Sequence, residues 1–141
     1  MEYTIQTAVS GSFDDAVDAT VDALESEGFG VLCDIDVRET MKRKLDEEFR
    51  NYRILGACNP SLAHDALNEE LELGALLPCN VIVYEGDDGG VMVSAVDPRR
   101  LVSVAENDEL DAVATEVRGR FERVLAAVGN VLEAASGSEA R

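Results

Sequence analysis

The sequence predicts an α+β fold: an antiparallel sheet covered by two long helices, with short helical insertions between strands. Residues 13–24 and 110–128 carry apolar side chains at three- and four-residue spacing and are long enough to be major helices. Short runs elsewhere alternate apolar and polar residues, the period of a half-buried strand. Gly86-Asp87-Asp88-Gly89-Gly90 between two such runs is a hairpin signal, since glycine and aspartate tolerate the positive φ values that tight turns need.

In chain order, Tyr3, Ile5, Thr7 and Val9 alternate with polar or small neighbours and predict the first strand. Gly11 breaks it and Ser12 stands where an N-cap belongs. Phe13, Ala16, Val17, Thr20, Val21 and Leu24 then form a helical stripe, opposite Asp14, Asp15, Asp18, Asp22 and Glu25, and Gly28 fits the residue after the helix end. Residues 30–37 predict a second strand with Val31, Cys33, Ile35 and Val37 on one face and Leu32, Asp34 and Asp36 on the other. Residues 38–49 predict a short, heavily charged helix with a narrow edge of Met41, Leu45 and Phe49.

Residues 52–58 form an apolar run interrupted by Gly56, a third strand that Asn59-Pro60 ends because the residue before proline avoids the helical region. A short helix over 61–73 follows and stops at Gly74. Residues 81–84 and 91–96 are the hairpin strands, and 99–105 show no clear periodicity. Asn107 or Asp108 caps the longest helix, whose stripe is Leu110, Val113, Ala114, Val117, Phe121, Val124, Leu125 and Val128. The small polar residues from Ser136 onward should fray, which gives one domain over 1–134 and a disordered tail over 135–141. There is no internal repeat and no linker.

Composition bounds function. Twenty-nine acidic residues oppose twelve basic ones, a net charge of −17, and only Lys42 and Lys44 are lysines. Such a charge repels itself in dilute salt and is tolerated in concentrated salt, which points to a salt-adapted cytoplasm. It argues against nucleic acid as a partner, since phosphate backbones require a clustered basic surface. No apolar run approaches the ~20 residues of a membrane span, and the amino terminus lacks a signal-peptide pattern, so neither a membrane nor export is expected. Cys33, Cys58 and Cys79 are an odd number, which favours free thiols over a disulfide framework.

The most unusual local sequences are Tyr52-Arg53-Ile54-Leu55-Gly56-Ala57-Cys58-Asn59-Pro60, the nearby His64, and Leu77-Pro78-Cys79-Asn80-Val81. Cys58 and Cys79 each stand at a strand end beside an Asn and a Pro. The chain's only histidine, His64, lies one turn into the helix between them. If the two strands pair antiparallel, Cys58, His64 and Cys79 meet at one sheet end, where they could ligate a metal, and with Asn59 and Asn80 they form a candidate ligand site. Cys33 is expected elsewhere. The competing reading is that the cysteines are buried small hydrophobes and His64 a solvent-facing helix residue. Neither cysteine belongs to a CxxC unit, and no GxGxxG, Walker, HExxH or GxSxG arrangement occurs. Asp34/Asp36 read as a solvated strand face and Asp87/Asp88 as a turn.

Three phrases, Gly28-Phe29-Gly30-Val31-Leu32, Ile54-Leu55-Gly56-Ala57-Cys58-Asn59-Pro60 and Leu77-Pro78-Cys79-Asn80-Val81, resemble the domain-of-unknown-function family 302, DUF302. The resemblance implies a TATA-binding-protein-like β-α-β(4)-α arrangement and a homodimer, with no established activity or cofactor. Association of that family with sulfur-handling or redox domains adds thiol chemistry to the possible roles. Three readings follow: a dimeric ligand- or metal-binding module with a cysteine-containing site, a structural dimer with core cysteines, and a thiol-dependent redox or sulfur-handling protein.

Overall fold

The computed structural model describes residues 2–139, with side chains through residue 135. Five strands form one sheet: β1 (Thr4–Val9), β2 (Gly30–Asp36), β3 (Tyr52–Cys58), β4 (Cys79–Glu85) and β5 (Val91–Val96). Their order is β1-β5-β4-β3-β2 and every neighbouring pair is antiparallel. The helices are α1 (Phe13–Ser26), α2 (Val37–Leu45), α3 (Pro60–Glu69), α4 (Pro98–Ser103) and α5 (Asp111–Glu139). Two 3-10 segments, Leu71–Leu76 and Asp108–Leu110, precede β4 and α5. The α+β class expected from the sequence is the observed one.

Alternation along the central strands sets the layers. Leu55, Ala57, Val81, Val83, Val93 and Ala95 are buried beneath α1 and α5, whereas Ile54, Ile82, Tyr84 and Met92 between them are half-buried on the other face. The stripe of α5 supplies Val117, Phe121, Val124 and Val128 to the same core, with Phe121 packed 4.9 Å from Phe29, ring to ring. Ser12 caps α1 by accepting a hydrogen bond from the Asp15 N–H. Gly28 follows the helix end with φ +87°, a conformation that L side chains rarely adopt.

Several boundaries differ from expectation. In β2 the register slips between Val31 and Cys33, leaving Leu32 unpaired, so strict alternation fails. Val31 packs on the core, while Cys33 and Ile35 pair with Gly56 and Ile54 on the opposite face. Helix α2 stops at Leu45 because Asp46 adopts a left-handed conformation (φ 53°), and Phe49 lies against Tyr52 instead of extending the helix. Helix α3 ends at Glu69, and Leu73 is buried from a 3-10 turn. Residues 98–103, which lack periodicity over a span so short, form α4, capped by Asp97. Helix α5 continues past residue 134 to Glu139; Ala140 and Arg141 of the expected tail lie outside the described residues. Among the described residues no helix is long and apolar enough to cross a membrane.

Candidate functional site

The three unusual phrases come together at one end of the sheet. Cys79 pairs with Ala57, Asn80 with Gly56, and Cys58 with Gly30 across the adjoining strand. A Cβ on Gly28 would lie 2.9 Å from Asn59 Nδ2, and one on Gly56 would lie 2.6 Å from Cys33 Sγ and 2.8 Å from Pro78 Cγ. Gly56 is thus required by close approach to the Pro78 ring, and Gly28 by its backbone angle. Asn59 starts α3 by accepting a hydrogen bond from the Leu62 N–H, with Pro60 in the first turn, where its missing N–H costs nothing.

Above this junction α3, the 3-10 segment, α4 and the first half of α5 arch over the sheet end and leave a cavity of about 340 Å³. Phe29, Ala57, Cys58, Asn59, Pro78 and Cys79 form its floor, and side chains such as Leu62, Ala66, Leu73 and Val113 its walls. Among the described residues no charged side chain lines it, and Asn59 provides its one side-chain amide. Concave, mostly apolar sites with few polar groups are the usual form of a small-molecule pocket.

Burial pushes the Cys79 thiol up from its ordinary 9.0 to about 11, with the nearby Cys58 adding in the same direction. A nucleophilic cysteine needs the opposite shift, because the thiolate is the reactive form.

The profile of a domain of unknown function, DUF302, matches residues 5–128. The chain belongs to the DUF302 family. Its fold is similar to that of an uncharacterised conserved DUF302 protein from Bacillus stearothermophilus, with 28% identity and a TM-score of 0.85 over 91% of this chain and 99% of that one. No curated protein matches it.

Of the expected site residues, this DUF302 domain brings Cys58, Asn59 and Cys79 to the cavity and leaves two outside. His64 is exposed on α3, because Leu62, Ala63, Ala66 and Leu67 occupy the face turned to the cavity. Asn80, paired with Gly56, is exposed on the reverse side of the sheet. Among the described residues no group of three or more His, Cys, Asp or Glu side chains is placed to hold a metal. All three cysteines are free. Cys33 stays outside the cavity and reaches the same sheet end from the other face, with its sulfur over Gly56. The acidic pairs also have specific tasks. Asp34 pairs with Arg53, Asp36 caps α2, Asp87 pairs with Arg50, and Asp88 accepts from the Gly90 N–H.

Proposed function

We propose that this DUF302 domain binds a small apolar molecule in the cavity over Cys58, Asn59 and Cys79, and does so as a homodimer. The observation that carries the reading is the cavity itself: about 340 Å³, free of charged lining, and floored by all three phrases that define the family likeness. Binding would be driven by removing apolar surface from water, at ~25 cal/mol per Å² before the cost of association. The raised Cys79 thiol favours binding over thiol-dependent chemistry. Free thiols suit a reducing cytoplasm, where the reading places the protein.

Support for the dimer comes from the sheet face away from α1 and α5. Tyr52 stacks on Tyr84 with centroids 5.5 Å apart, and Ile54 pairs with Ile82 alongside. A half-buried aliphatic and aromatic face of this kind is what a second copy covers.

Titration with the neutral fluorophore N-phenyl-1-naphthylamine tests the cavity. Saturable emission at one probe per chain is expected, with displacement by decanol and loss in a folded Ala66→Phe variant. Absence of saturation, or emission unchanged by that variant, overturns the reading. Light scattering tests the second half, and a monomer at every accessible concentration removes the dimer.

A further inference from the structure

Helix α4 separates the apolar cavity from a second cleft of opposite character. Pro98, Leu101 and Val102 face the cavity, whereas Arg99, Arg100 and Ser103 line the cleft. Helix α5 divides in the same way, giving Val113, Ala114 and Val117 to one side and Asp111, Thr115 and Arg118 to the other. The cleft has a volume of about 460 Å³.

Three of the chain's twelve cations gather there, in a protein whose net charge is −17. Asp97, only 8% exposed, fixes the arrangement. Its Oδ1 accepts the Arg99 N–H at 3.0 Å and its Oδ2 pairs with Arg118 Nη1. Arg118 is held again by Glu122, 3.0 Å from its Nε. Arg99 and Arg100 make no ion pair among the described residues, although acids outnumber bases by more than two to one. Among the described residues Asp111 is the one further carboxylate in the wall, so the described lining is net positive. Ser103 gives its proton to the Arg100 carbonyl, leaving the Thr115 hydroxyl as the neutral donor.

We propose that this cleft binds a small tetrahedral oxyanion of the phosphate class. Arg99 and Arg100 supply the free charge, Arg118 is a fixed third donor, and Asp111 accepts from a protonated ligand oxygen. Three guanidinium groups converging on one cleft offer more donors than the two oxygens of a single carboxylate can take up, whereas the four oxygens of a phosphate can accept from all three. The chain's net charge of −17 repels nucleic acids and other polyanions, so a compact anion is the occupant the cleft admits. This site is independent of the apolar cavity.

Calorimetric titration with orthophosphate, at an ionic strength held constant with potassium chloride, tests the site. One saturable site per chain is expected. The Arg99→Gln/Arg100→Gln double variant should bind roughly tenfold more weakly or worse, ~1.4 kcal/mol, while Arg43→Gln should leave the affinity unchanged and so control for net charge. Arg99 and Arg100 are both exposed, so the fold should survive; if far-UV dichroism shows otherwise, the single Arg100→Gln variant replaces the double one. No saturable heat in the natural protein, full affinity in the cleft variant, or equal weakening by Arg43→Gln would each overturn the proposal.

Discussion

Phe121 and Leu73 are both almost completely buried, yet they lie in different kinds of interior. Phe121 belongs to the longest helix and packs against Phe29 within a cluster that α1, α5 and the sheet close from both sides. Leu73 belongs to a 3-10 turn and packs with Ala66 and Leu110 in a smaller cluster beside the cavity. Long periodic elements can turn a continuous stripe to the sheet and fill the space. Short segments joined by tight turns cannot all do so, and the gap between the two clusters becomes the cavity.

The largest expected effect follows directly. Phe121→Ala should cost about 3–5 kcal/mol in denaturant unfolding, whereas Leu73→Ala should cost about 2 kcal/mol, the low end of the range for such truncations, because it enlarges a space already present. Equal losses would erase the distinction between the two regions.

Next comes pH. Cys79 has a folded pKa raised above its unfolded one, so its contribution is fully present below pH 9 and is lost as the pH climbs to about 11. The loss is about 2–3 kcal/mol, from the roughly two-unit shift. Tyr52, raised by burial and then by Tyr84, adds a loss of the same sign above pH 10. The difference between the natural protein and Cys79→Ala in alkaline unfolding curves isolates the thiol, and parallel curves would contradict its burial.

A smaller effect is expected where the cavity is filled. Ala66→Leu should change stability by less than about 1.5 kcal/mol, because the added methyl groups enter existing space, while it weakens probe binding. A large destabilisation would mean that the short-helix corner is packed as tightly as the main core. Smallest is Ser12→Ala, which removes a cap far from the cavity and should cost about 1 kcal/mol in thermal unfolding without altering probe affinity.

The same division explains what the sequence made legible. The stripes of α1 and α5 and the runs of β3 and β5 repeat often enough for periodicity to identify them. Residues 98–103 and 71–76 span too few turns to show any period, so the roof of the cavity could not be read locally. Cys58, Asn59 and Cys79 could be placed together because antiparallel pairing fixes where strand ends meet. His64 could not, because one residue's position on a short helix decides whether it faces inward. The β2 bulge, which sends Cys33 to the reverse face, has no marker in Gly30-Val31-Leu32-Cys33.

The place of β1 in the sheet bears on how the molecule forms. Thr4 pairs with Val96, so the first strand made is joined to the last, while β2, β3 and β4 meet partners much nearer in the chain. During synthesis β1 must wait for more than ninety residues to emerge before its edge is satisfied. Closing so long a loop costs entropy before its contacts repay it, so β1–β5 pairing is expected to be a late step, which pulse-labelled amide exchange during refolding would read.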